Sequence, residues 1–135
     1  MRAAPQPATD QRFPPQRRLH HAAEFRLVSR NGKRRGGPFW VLLAARRCDG
    51  AALSRLGLTT PRRLGPAPLR NRIRRRLRAL ARRNWAQMPA GWDVVLQPRV
   101  AAARAPARQL ETEWMECLGW LARGKAPALG HNKTS

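Results

Sequence analysis

At 135 residues the chain has room for one domain and one modest core, not for a second domain of ordinary size. It carries 28 Lys and Arg against 7 Asp and Glu, a formal net charge of +21, so a compact state repels itself unless a polyanion such as nucleic acid neutralises it. No apolar run is long enough to span a membrane, and residues 1–16, polar and rich in proline, hold no apolar signal-peptide core; a cytoplasmic protein is expected.

Residues 1–18, rich in Pro, Gln and Arg, are expected to form a disordered basic arm and 124–135 a disordered tail, which leaves 19–123 as the folded domain. A first helix is expected over about 22–30, stopped by Asn31-Gly32. Ala23 and Leu27 lie on one side of it and Phe25 and Val28 on another, leaving one side for packing and the other for a ligand. Lys33-Arg34-Arg35-Gly36-Gly37 reads as a basic turn. The bulky apolar run 39–45 reads as a buried strand. Asp49-Gly50 then signals a turn into a second strand over 53–60, and the two strands are expected to pair as a hairpin.

Pro66 and Pro68 end that strand and open a helix over about 69–85. Leu69, Ile73, Leu77 and Leu80 make one narrow apolar stripe along it, and Arg70, Arg72, Arg74, Arg75, Arg76, Arg78, Arg82 and Arg83 stand around the rest of the cylinder. Residues 92–96 read as another strand, closed by Pro98. The last helix runs from Pro106 to Gly124. Leu110, Trp114, Cys117, Leu118 and Leu121 keep helical spacing on it, with Glu111 and Glu113 near the positive end of its dipole and Arg123 near the negative end. Cys48 and Cys117 each lack a nearby second cysteine, which suggests neither a disulfide framework nor a metal pair.

The arginine helix carries the functional signal. Arg70/Arg74, Arg72/Arg76, Arg74/Arg78 and Arg78/Arg82 are like-charged pairs one turn apart, each costing on the order of 0.2–0.5 kcal/mol in water. Solvated helix faces ordinarily interleave both signs, yet no Asp or Glu lies between Asp49 and Asp93. Phosphates cancelling the repulsion would make sense of the segment. The chain shows neither zinc-finger spacing nor a heptad seam to dimerise a basic helix. A folded RNA, presenting phosphates in several directions, suits it better than duplex DNA.

The stretch Gly57-Leu58-Thr59-Thr60-Pro61-Arg62-Arg63-Leu64-Gly65, followed by Arg70-Asn71-Arg72-Ile73-Arg74-Arg75, resembles the signature of the ribonuclease P protein family. The likeness extends to Glu24-Phe25-Arg26-Leu27-Val28 with Asn31-Gly32, and to Asp93-Val94-Val95-Leu96 with Arg99 beyond. It implies a single small α/β (α+β) domain, a two-layer sandwich of order αβββαβα with an unusual left-handed βαβ crossover. It also implies that Arg70, Asn71, Arg72, Arg74, Arg75 and Arg78, with Arg62 and Arg63 beside them, face a catalytic RNA. A cleft between the first helix and the sheet would take the single-stranded 5′ leader of precursor tRNA, with Phe25 stacking on bases for roughly 1–3 kcal/mol each and Val28 beside it. The family often has a second aromatic where this chain has Ser29, which shifts leader contacts toward Phe39 or Trp40; against that, Phe39, Trp40 and Trp92 read more readily as core, because strand aromatics usually pack.

The inventory for protein catalysis is poor. His20, His21 and His131 fall in or near the expected flexible ends, and the acids are few and scattered, so no catalytic residue and no protein metal ligand is expected. The resemblance implies an accessory subunit of an endoribonuclease, with hydrolysis carried out by the RNA and its Mg²⁺, and with the catalytic RNA and precursor tRNA as partners; no obligate protein partner is expected. The rival reading, a basic ribosomal protein, would share the charge and the tails.

Overall fold

The run Trp40-Val41-Leu42-Leu43-Ala44-Ala45 has no polar member. Successive side chains of a strand point to opposite faces of its sheet, so such a strand needs cover on both. The computed structural model, which describes residues 17–19, 21–47, 49 and 51–124, meets that demand. Its elements follow the order α1 (Ala22–Asn31), β1 (Lys33–Gly36), β2 (Trp40–Arg46), β3 (Arg55–Leu58), α2 (Ala67–Arg83), β4 (Trp92–Pro98) and α3 (Ala107–Arg123), the αβββαβα order expected. Short 3-10 turns at Arg62–Leu64, Trp85–Gln87 and Val100–Ala103 join them. Residues 1–16 of the arm expected over 1–18 and 125–135 of the tail expected over 124–135, together with the readings of His20, Cys48 and His131, lie outside the described residues.

The four strands lie in the order β1-β2-β4-β3. β1 and β4 pair antiparallel with β2, while β3 pairs parallel with β4. The hairpin expected between β2 and β3 is therefore absent, because β4 lies between them. The Asp49 turn does form: Arg47 donates to the Asp49 carboxylate at 3.1 and 2.7 Å. It leads elsewhere, since the Arg47 N–H donates to Gly91 O at 2.8 Å and the Gly91 N–H to Ala52 O at 2.7 Å. The chain after β2 is thus tied to the entrance of β4. β4 is buried on both faces like β2 and takes the central place beside it; a local turn signal cannot see that competition.

The expected basic turn at Lys33–Gly36 is a strand, in register from Lys33↔Ala44 to Gly36↔Val41. It lacks an apolar period because it is a largely exposed edge, and charged side chains on an edge discourage pairing with other chains.

Facing α2 and α3, Trp40, Leu42 and Ala44 of β2 join Leu56, Trp92, Val94 and Leu96 and meet Ile73, Leu77, Leu80, Leu110, Trp114 and Leu118. On the other face Val41, Leu43, Ala45 and Val95 pack with Leu19 and Val28. The expected two-layer sandwich thus carries a third, narrower layer, α1. Cys117 lies in the larger core, where burial pushes its thiol up. Glu113, expected only as a dipole partner, is buried and accepts from Arg35 of β1 at 2.9 Å.

α1 is tied to the sheet by charge and by shape. Asp93 on β4 is fully buried and receives two hydrogen bonds from Arg55, at 2.9 and 2.8 Å, while Arg55 also reaches Glu24 of α1 at 2.9 Å. The hydrogen bonds to Asp93 are the main reason the Arg55 guanidinium is held above its ordinary value. The Phe25 ring lies against Gly57, where an added Cβ would come within 2.5 Å of it.

Removing Arg55 leaves a buried carboxylate uncompensated, so Arg55→Ala should cost about 3–5 kcal/mol in urea denaturation, whereas Arg83→Ala, which loses an exposed 3.5 Å pair with Glu111, should cost under about 1 kcal/mol; comparable losses would contradict this placement. Gly57→Ala should cost about 1–3 kcal/mol by overpacking. Most of that cost should vanish in a Phe25→Ala background, measured as a double-mutant cycle; strict additivity would place the ring elsewhere.

Candidate nucleic-acid interface

α2 starts at a proline N-cap, Pro66, with Pro68 in its first turn, and ends where the Asn84 side chain donates to Leu80 O at 2.9 Å. Ile73, Leu77, Leu80 and Ala81 are its buried residues, with Leu69 packed at the margin. That stripe turns the arginines outward, but not all to one task. The Arg76 guanidinium is tied to Ala102 O at 2.9 Å and Ala105 O at 2.5 Å, and Arg83 pairs with Glu111 on α3. These two hold the helical layer together. Glu111 offsets Arg83 from a distance in sequence that helical periodicity does not reach.

The remaining set keeps its charge. Asn71, Arg72 and Arg75 are exposed, and Arg70, Arg74 and Arg78 are half-buried. Arg70 donates to Gly65 O at 3.0 Å, and Arg74 links Asn71 at 2.5 Å to Thr60 at 2.6 Å. Among the described residues no carboxylate pairs with Arg70, Arg72, Arg74, Arg75 or Arg78. Burial, followed by repulsion from Arg18 and Arg74, depresses the Arg78 guanidinium below its ordinary value. Arg62 and Arg63 are exposed on the turn between β3 and α2. They stand near the positive end of the α2 dipole, whose first turn holds no acid.

Two further contributions were not legible in the sequence. Residues 17–19 run along the free edge of β3, with Arg18 bridged to Leu56 and the Leu19 N–H donating to Leu56 O at 3.0 Å. Arg17 lies over the Trp85 ring, 5.7 Å from its centre. The expected arm had included Arg17 and Arg18; both are placed against the domain. Between α2 and the Val100–Ala103 turn there is also an open hollow of about 550 Å³ lined by Arg72, Arg75, Arg76, Ala103 and Arg104.

On the opposite face of the sheet, the expected leader-cleft residues separate. Phe25, on α1, is half-buried and packs against the smaller core. Val28 is fully buried under the helix and is core. Trp40 is fully buried on the α2 and α3 side, and Phe39 packs on that same side, its ring 6.5 Å from Trp40. Neither replaces the aromatic missing at Ser29, because strand alternation sends Trp40 away from α1. Register instead places Arg34 and Gln97 on the Phe25 side, opposite Leu43 and Val41. Among the described residues no three His, Cys, Asp or Glu side chains gather to hold a metal ion.

This arrangement matches known proteins over most of its length. The Ribonuclease P family model matches residues 13–121. The ribonuclease P protein component of Acidothermus cellulolyticus is 33% identical over 113 residues, covering 84% of this chain and 94% of the relative. That of Thermotoga maritima is 32% identical over 113 residues, covering 84% and 88%. The solved RNase P protein from Thermotoga maritima superposes with a TM-score of 0.67 at 30% identity over 75% of this chain and 94% of that one. The RNase P protein from Staphylococcus aureus, at 21% identity and a TM-score of 0.65 over 79% and 95%, shares the fold. An acid-free arginine helix between two parallel strands, matched from residue 13 to residue 121, places the chain in the ribonuclease P protein family.

Proposed function

We propose that this chain, as a protein component of ribonuclease P, docks on the catalytic RNA through α2 and takes the 5′ leader of precursor tRNA on the face beside α1. The observation that carries this reading is the absence of any carboxylate partner for Arg70, Arg72, Arg74, Arg75 and Arg78 among the described residues. Guanidinium groups grip phosphate oxygens through paired N–H donors, and phosphate contacts release counterions from the RNA. Asn71 and Arg74, already held to each other and to Thr60, would meet the RNA with part of their conformational freedom removed. Arg62 and Arg63 extend the contact past the start of α2.

On the leader side, Phe25, only half-buried, would offer a base a stacking surface, and Arg34 would add a positive charge near the backbone. Mg²⁺ is assigned mainly to the RNA partner, which would supply hydrolysis while the protein holds substrate. Among the described residues no helix is long and apolar enough to cross a membrane, and we assign the chain to the cytoplasm. The family match lends no support to a basic ribosomal protein.

In reconstitution, ribonuclease P RNA at low Mg²⁺ should cleave precursor tRNA faster with this protein present, and the absence of stimulation would contradict the reading. Changing Arg70, Arg72 and Arg75 together to Ala should weaken affinity for the catalytic RNA and flatten its salt dependence by about 2 to 3 in log–log slope; an unaltered slope would remove α2 from the interface. Phe25→Ala should weaken precursor tRNA binding by roughly 5- to 150-fold while sparing mature tRNA. An equal loss for both would assign Phe25 to folding.

A further inference from the structure

We infer that Arg104 completes a phosphate-binding hollow with Arg72 and Arg75, and that Arg76 positions Arg104 instead of touching RNA. The inference rests on the reading that α2 faces the catalytic RNA and adds to that face a second element, the connection between β4 and α3. The hollow of about 550 Å³ is lined by four arginines and one alanine, with no acidic side chain. Arg72, Arg75 and Arg104 are exposed, and no carboxylate pairs with any of them among the described residues. Positive charge converging on one open concavity fits a phosphodiester of an RNA backbone, whose oxygens accept from several guanidiniums at once.

The backbone around Arg104 is built to hold still. Ala102, Ala103 and Ala105 are all buried, so Arg104 is the one side chain of that stretch directed to solvent. Small side chains let the turn lie close to α2. Arg76 closes the gap by donating to Ala102 O and Ala105 O, the carbonyls on either side of Ala103-Arg104. With one donor of each terminal nitrogen engaged there, Arg76 is less free to turn its fork to phosphate, and its effect on RNA would pass through the placement of Arg104. Two elements far apart in sequence would then fix the direction in which the RNA backbone crosses α2, whereas a single helix could let it slide.

The full chain is titrated against ribonuclease P RNA across a salt series, with thermal melts of each variant as a folding check. Arg104→Gln should weaken affinity by about 5- to 10-fold and lower the log–log salt slope by about 0.7 to 0.9, the loss of one phosphate contact. Arg104→Lys should keep the slope and lose part of the affinity, because the charge remains and the fork does not. Arg123→Gln, removing the same charge at the far end of α3, should change affinity little; a loss as large as that of Arg104→Gln would mean net charge alone is being read and would overturn the site. If Arg72→Gln lowers the slope and Arg104→Gln does not, the hollow is overturned while α2 stands. If neither lowers it, the reading of α2 itself fails. Arg76→Gln should weaken binding in the parent but scarcely in an Arg104→Gln background, and additive losses would overturn its positioning role.

Discussion

The structure depends on how few negative charges a chain of +21 has to work with. Six of its carboxylates fall among the described residues, and every one is paired with an arginine: Glu24 and Asp93 with Arg55, Glu113 and Glu116 with Arg35, Asp49 with Arg47, and Glu111 with Arg83. Each pair joins parts of the chain that the fold must keep together, whether helix to sheet, edge strand to helix, helix to helix, or the turn leaving β2. Among the described residues no carboxylate is left for Arg70, Arg72, Arg74, Arg75 or Arg78 on the outward side of α2. The same allocation that stabilises the domain therefore leaves α2 electrostatically incomplete, and in the proposed function phosphate would supply the missing sign.

The sheet enforces a second division. β2 and β4 are covered on both faces, so alternate residues enter different cores. The larger core anchors α2 through Ile73, Leu77 and Leu80 and so holds the arginines at fixed positions on a rigid element. The smaller core seats α1 with a few side chains, leaving part of Phe25 uncovered. The two surfaces proposed to meet RNA can thus sit on opposite sides of one sheet without competing for the same residues. Their separation is a consequence of strand geometry, since a one-residue shift in register would exchange the faces.

Gly57 shows how closely the two requirements meet. It belongs to β3, beside β4, and its missing side chain is what lets the Phe25 ring approach the sheet. Arg55, two residues earlier on the same face, holds the same end of α1 through Glu24, the neighbour of Phe25. Shape and charge therefore set the position of α1 together, and the opening beside it follows.

Much of this was legible from residues alone. The stripe Leu69, Ile73, Leu77 and Leu80 places α2, the apolar runs place β2 and β4, and the acid-free stretch from Asp49 to Asp93 exposes the charge problem. These signals are local or compositional, and local rules read them. The strand status of Lys33–Gly36, the insertion of β4 between β2 and β3, the pairing of Arg83 with Glu111, the burial of Val28 and the meeting of Arg104 with α2 were decided only by tertiary structure. Each depends on which distant segment wins a shared edge, face or carbonyl. That competition is settled by the total apolar surface and charge brought together on folding, a quantity no window of sequence contains.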